Sequence, residues 1–142
     1  MTSAAKPVPL LRHLSGEFYA HCRSHELRFQ RCTQCRSWRH VPRQTCARCG
    51  AWDWEWARSS GHGTVFTWTV VRRPMHPAFA SAAPYAPCVI EMEEGVRVVS
   101  EVVDCAPADL RKGLAVEVVF DDVTPELTLP KFRRASGGGR PS

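Results

Sequence analysis

Leu11, Leu14, Phe18 and Cys22 recur at intervals of three and four residues, the spacing of the buried stripe of an amphipathic helix. The pattern predicts a helix running to about Ser24, with Ser15 as a candidate N-cap, and puts His13, His21 and His25 mostly off the stripe. After it the periodicity changes from helical to alternating. Leu27 to Arg31 is a short strand candidate, and Arg39 to Arg43 a second extended stretch. Trp52-Asp53-Trp54-Glu55-Trp56 alternates aromatic with acid, as a half-buried strand does. A turn at Gly61-His62-Gly63 precedes Thr64 to Arg72, whose β-branched and aromatic residues mark the clearest strand of the chain.

A loop from Arg73 to Pro87 holds Pro74, Pro77, Pro84 and Pro87. Pro87 to Glu93, a turn at Glu94-Gly95 and Val96 to Asp104 then read as a hairpin. Ala106 to Lys112 is long enough for one helical turn, ending at Gly113, before a last strand from Leu114 to Asp121. Four or five strands without room for crossover helices predict an antiparallel sheet that closes on itself, and a five-stranded barrel of OB type is the economical solution. The fold class expected is mainly β. Its expected units are an arm and helix (1–26), a metal ribbon (27–57), a barrel (58–132) and a flexible tail (133–142) containing Gly137-Gly138-Gly139.

Between the helix and the barrel stand Cys32-Thr-Gln-Cys35 and Cys46-Ala-Arg-Cys49. Two CxxC turns facing each other bring four thiolates onto one ion, the closed tetrahedral shell of structural zinc, with no position left for a reacting water. Two disulfides would use the same residues. The stretch Met1 to Pro9 lacks the apolar core of a secretion signal, so the expectation is a reducing cytoplasmic setting in which paired thiols bind metal. Cys22, Cys88 and Cys105 lie among apolar neighbours and read as small core residues, and His40 is not needed as a ligand.

Composition narrows the function classes. Hydrophobic residues make up 44% and charged residues 23%, and no stretch approaches the ~18 apolar residues of a membrane span. The net charge of +5 is unevenly placed. Residues 1–73 hold 12 Lys/Arg against 4 Asp/Glu, whereas residues 74–130 hold 3 against 10. A basic front half points to an anionic partner, and the acidic second half argues against a nucleic-acid groove there. No GxSxG, HExxH, GxGxxG or Walker loop is present, so no active centre of a stand-alone enzyme is apparent. Cys88 opens a strand with no histidine nearby in sequence, and Glu91, Glu93 and Glu94 read as a solvated hairpin face.

The order of several segments carries a resemblance. These are Phe29-Gln-Arg-Cys-Thr-Gln-Cys35, Val41-Pro-Arg43, Cys46-Ala-Arg-Cys-Gly50, Ser60-Gly-His-Gly-Thr-Val-Phe-Thr67, Pro84-Tyr-Ala86, Glu94-Gly-Val-Arg97, Gly113-Leu-Ala-Val-Glu-Val118 and Leu129-Pro-Lys-Phe132. Together they span most of Phe18 to Phe132, and the chain resembles the acyl-CoA-associated zinc-ribbon/OB-fold family, formerly a domain of unknown function. The resemblance implies an N-terminal helix, a rubredoxin-like ribbon and an OB barrel. It also implies an accessory subunit, packed on a thiolase-like enzyme, a thiolase-like aldolase (steroid side-chain breakdown among them) or a hot-dog-fold hydratase, that supports assembly and binding of CoA or acyl-CoA. Arg36 departs from the pattern, since the family usually has glycine after each turn as at Gly50, and an arginine there at positive φ costs about 1 kcal/mol. His62 stands where a basic residue is common.

CoA carries a 3′-phosphate and a pyrophosphate, and guanidinium binds phosphate in bidentate fashion. Arg31 and Arg43 flank the ribbon, Arg72 and Arg73 end the clearest strand, and Lys131 lies near the end of the barrel, so these five are the candidate CoA contacts, against a role in surface ion pairing. The rival class is single-stranded nucleic-acid binding, which ribbons and OB barrels both perform with aromatics among basic residues. The hairpin strands are acidic and lack aromatics. Of the rest, Phe66 and Trp68 are assigned by alternation to one face, the core.

Overall fold

A computed structural model of the protein describes residues 11–73, 77–78 and 83–135. The expected N-terminal arm, residues 74–76 and 79–82 of the proline-rich loop, and the glycine tail from 136 onward lie outside the described residues. Helix α1 (His13–Arg23) comes first, followed by a three-stranded antiparallel sheet of β1 (Arg28–Cys32), β2 (Trp38–Arg39) and β3 (Trp54–Arg58) in the order β2-β1-β3. A second sheet holds β4 (His62–Trp68), β5 (Cys88–Met92), β6 (Arg97–Ser100), β7 (Ala115–Asp122) and β8 (Thr128–Arg134) in the order β6-β5-β4-β7-β8. The five-stranded sheet curls until the chain just after β6 meets β8, where a parallel bridge pairs Val102 with Phe132. An antiparallel sheet with one parallel seam between its third and fifth strands is an OB-type barrel.

Several local expectations shift. The helix is capped at Arg12 without a side-chain bond, so Ser15 lies in its first turn and not at the cap. The stretch expected from Arg39 to Arg43 is a strand only at Trp38–Arg39, because the chain must turn at once toward the second cysteine pair. The strand from Thr64 ends at Trp68, and beyond it a single bridge joins Val71 to Tyr85. Only Pro107–Asp109 of the anticipated helical turn is helical, as one 3-10 turn. Strand β8 was not expected at all. It contains Pro130, and it runs two residues past 132.

One apolar cluster joins the units. Phe18 and Cys22 of α1 pack with Leu27 and Phe29 of the ribbon side and with Val65, Ile90, Val116 and Phe132 of the barrel. Phe29 and Phe132 are wholly buried, each contributing about 2–3 kcal/mol relative to exposure. Helix α1 lies against β8 as well as β1. The Gly61-His62-Gly63 motif has a steric cause: Gly61 has φ +80 with Val118 Cγ1 2.8 Å from where a Cβ would be, and at Gly63 a Cβ would be 2.6 Å from the Glu91 carbonyl oxygen.

Candidate metal centre and flanking surfaces

The two cysteine turns repeat one backbone pattern. In the first, the Arg36 N–H donates to the Cys32 carbonyl at 2.9 Å and the Cys32 N–H to the Ser37 carbonyl at 2.9 Å. In the second, the Gly50 N–H donates to the Cys46 carbonyl at 2.8 Å and the Cys46 N–H to the Ala51 carbonyl at 2.9 Å. Each turn closes at positive φ, +65 at Arg36 and +77 at Gly50, so the arginine carries the strain its position predicts. Strand β1 delivers Cys32 to the site. Fully buried Gln30 holds the loop between the turns, its Oε1 accepting from Arg39 Nε at 2.9 Å and the Arg43 N–H at 2.6 Å.

The sulfurs of Cys32, Cys35, Cys46 and Cys49 all lie within 4.8 Å of one another, with Cys32 to Cys49 at 3.6 Å and Cys35 to Cys46 at 3.5 Å. Zinc–sulfur bonds of about 2.3 Å in a tetrahedron place sulfurs about 3.8 Å apart, so the residues fit zinc, whereas a disulfide needs about 2.05 Å. The Ser37 hydroxyl stands 3.1 Å from Cys35 Sγ and 3.5 Å from Cys46 Sγ. That hydroxyl, then the Cys49 N–H, holds the Cys46 thiol down to about 5, and it also lowers Cys35. Cys49 moves the other way. The Ala51 N–H favours its thiolate, yet the Cys32 sulfur and burial raise it to about 11, as crowded thiolates require a cation. Bound there, zinc would link the two turns, and no thiolate position remains for chemistry. Ser37 was not singled out from sequence; its signal was a hydroxyl residue two positions beyond a ligand.

The other cysteines and His40 stay out of this cluster. Cys22 and Cys88 are buried, and burial pushes the Cys22 thiol up to about 12. Cys105 is only half-buried. The His40 ring packs against Phe18 at 5.0 Å and Phe29 at 5.2 Å, and burial lowers its imidazole to about 4.

The five candidate CoA contacts separate into two groups. Arg31 grips Glu55 Oε2 through Nε at 3.0 Å and an Nη at 2.7 Å, with its guanidinium over the Trp38 ring. Lys131 lies between Asp121 at 2.8 Å and Glu101 at 3.0 Å, which raise its pKa against the desolvation that would lower it. Arg43, Arg72 and Arg73 are exposed and form no ion pair among the described residues. The tryptophans divide too. Trp56 donates to Glu17 of α1 at 2.9 Å and Trp54 packs edge-on against it, while Trp52, three residues after Cys49 in the chain, is 69% exposed.

Phe66 corrects the alternation argument. A bulge between Val65 and Thr67 breaks the period, Val65 fills the core, and Phe66 lies outside the core cluster under Arg97 at 3.8 Å and Lys112 at 5.2 Å. Trp68 packs against the core from its edge. A groove of about 800 Å³ runs between α1, the His40–Pro42 loop and the barrel seam, with Lys131 in it. No helix among the described residues is long and apolar enough to cross a membrane.

A helix, a four-thiolate ribbon and a curled five-stranded sheet define a zinc-ribbon/OB-fold protein. The chain belongs to the ChsH2 (DUF35) family: the ChsH2 rubredoxin-like zinc ribbon domain matches residues 20–55 and the ChsH2 C-terminal OB-fold domain residues 56–121. A DUF35 domain-containing scaffold protein of Methanothermobacter thermautotrophicus is 32% identical over 112 residues, covering 64% of this chain and 84% of that protein. The probable enoyl-CoA hydratase alpha subunit of Thermomonospora curvata is 35% identical over 132 residues, 93% of this chain. The chain spans only 41% of that subunit's length. Among solved structures, a chain of the Ltp2-ChsH2(DUF35) aldolase superposes with a TM-score of 0.81 at 34% identity, covering 89% of this chain and 98% of that one.

Proposed function

We propose that the protein is an accessory subunit of an acyl-CoA enzyme, packing on a thiolase-like thiolase or aldolase, or on a hydratase, and acting from the cytoplasm. The observation that carries this reading is the near-complete superposition on a chain of the Ltp2-ChsH2(DUF35) aldolase, combined with a metal centre whose four thiolates leave no open coordination position. The name of the Thermomonospora curvata relative, a probable enoyl-CoA hydratase alpha subunit, supports an acyl-CoA partner. In this reading the units at 1–26, 27–57, 58–132 and 133–142 divide the work between docking and structure. Trp52, a large aromatic left 69% exposed, is of the residue type that anchors interfaces.

Within the complex, Arg43, Arg72 and Arg73 serve the CoA phosphates, since no carboxylate competes for them among the described residues. Arg31 and Lys131 contribute less, being already held by carboxylates. The nucleic-acid reading ranks second: Arg97, one of two cations over Phe66, is also claimed by Glu91 at 3.2 Å. Co-expression with the thiolase-like or hydratase protein of the same source, followed by size exclusion, tests the proposal. Co-elution with raised or restored turnover is expected. Independent elution with unchanged activity would overturn it, and salt-sensitive binding to single-stranded oligonucleotides would favour the rival.

A further inference from the structure

Among the described residues the edge of β6 at Val99 has no backbone partner, and Pro130 of β8 stands where the seam ladder ends. At the seam, the Phe132 N–H donates to the Glu101 carbonyl at 3.0 Å and the Val103 N–H to the Phe132 carbonyl at 2.7 Å. The next residue of β8 on that side is Pro130, which has no N–H to give, and its carbonyl takes the Ser100 hydroxyl at 2.9 Å. The parallel ladder stops there. The other edge of β6 fixes the phase: Met92 N–H donates to Val96 O at 2.9 Å, so Val98 and Ser100 turn their backbone toward β5 while Arg97 and Val99 turn away. Glu101, in the same phase as Val99, does bond outward to β8, which agrees.

Unpaired edges are ordinarily guarded by charge, proline or a bulge. This one is not. Val99 is 74% exposed, and the one charge on the strand, Arg97, is folded back over Phe66 and onto Glu91. Beside the edge lies the groove of about 800 Å³, with apolar walls at Phe18, Tyr19, Val41, Pro42 and Leu129. Its charged groups are Glu101, Asp121 and Asp122 against Lys131 alone, so it is net acidic.

We propose that the open edge of β6 takes up an extended segment of the acyl-CoA enzyme partner, added as a further strand at Val99, with apolar side chains and at least one Lys or Arg in the groove. The inference rests on the accessory-subunit reading and specifies its docking chemistry. CoA phosphates are poor occupants, since they would meet three carboxylates. A helix or an acyl chain would leave the Val99 N–H and carbonyl unpaired, whereas a strand satisfies both.

The test uses the full chain, free and in the complex isolated by co-expression. Amide hydrogen exchange is read at Val99, and the affinity of the partner enzyme is measured for Val99→Pro and Val99→Thr. Proline is tolerated on an edge whose N–H faces outward, so the first variant keeps fold and metal but cannot donate. Expected are fast exchange of the Val99 N–H in the free chain, at least tenfold protection in the complex, and at least tenfold weaker binding for Val99→Pro with little change for Val99→Thr. Protection already present in the free chain, exchange unchanged in the complex, or full affinity in Val99→Pro overturns the inference and leaves the accessory reading standing. Failure of the wild-type chain to form any complex overturns both.

Discussion

Replacing Gly63 by alanine is expected to cost the barrel about 3 kcal/mol, for a reason separable from backbone conformation. Gly63 sits in the central strand, paired with Met92 of β5 on one side and Val116 of β7 on the other. The new Cβ would stand 2.6 Å from the Glu91 carbonyl oxygen and 3.0 Å from Ile90 Cγ2, where ordinary contact begins at 3.4 Å. Strand β4 would have to retreat about 0.8 Å from β5, and it cannot do so without compressing against β7. Overpacking of this kind costs about 1–3 kcal/mol, and strained ladder hydrogen bonds on both sides add about 1 kcal/mol. For a chain of this size that lowers Tm by about 10 °C. Urea unfolding followed by far-UV circular dichroism should show a lower midpoint with an unchanged slope, and one zinc per chain retained. Gly113→Ala is the control: it has φ +88 and open space around it, so only the conformational cost of about 1 kcal/mol applies. A Gly63→Ala protein within about 0.5 kcal/mol of wild type refutes the steric reasoning.

Cys46→Ser, or a strong chelator, should release the zinc and unfold the ribbon; elemental analysis and near-UV circular dichroism would register both, and intact tertiary signal without metal would contradict a structural site. Arg36→Gly should stabilise the first turn by up to about 1 kcal/mol, because it relieves φ +65 and forfeits only a loose contact with Glu55 at 3.8 Å. A clear loss of stability in urea would show that the Glu55 contact matters more than strain. The Asp122 carboxyl is held below its usual 3.8 by the Thr128 hydroxyl and then by His25. Its contribution is therefore complete above that value and lost as pH falls through the lower folded one, and Asp122→Asn should remove this acid limb from the stability profile measured between pH 2 and 6.

Much of the metal centre was legible in the chain because ligand spacing is local. Two CxxC turns need only a few residues each, and glycine or a strained arginine at positive φ follows from the turn itself. The barrel was less legible. Strand β8 escaped notice because Pro130 and the charged residues around it suppress the alternating signal, and its pairing with β7 from Val116↔Arg134 to Asp122↔Thr128 is non-local in origin. Phe66 was misplaced because alternation holds only in an unbroken strand, and a bulge exchanges the faces beyond it.

Sequence alone determined the four thiolates and the Phe18/Cys22 half of the helix stripe, which rest on local spacing, and the order of ribbon and barrel and the family, which rest on the order of motifs along the chain. Leu11, counted in the stripe, precedes the helix and is 43% exposed. Tertiary structure decided which cations are free. Arg31 and Lys131 look equivalent to Arg43, Arg72 and Arg73 in the chain, but folding brings Glu55, Asp121 and Glu101 against the first two and leaves the other three exposed. It also decided which edge stays open. A proline missing one N–H matters only when it stands opposite a partner strand, and the seam between β6 and β8 exists only once the sheet has curled.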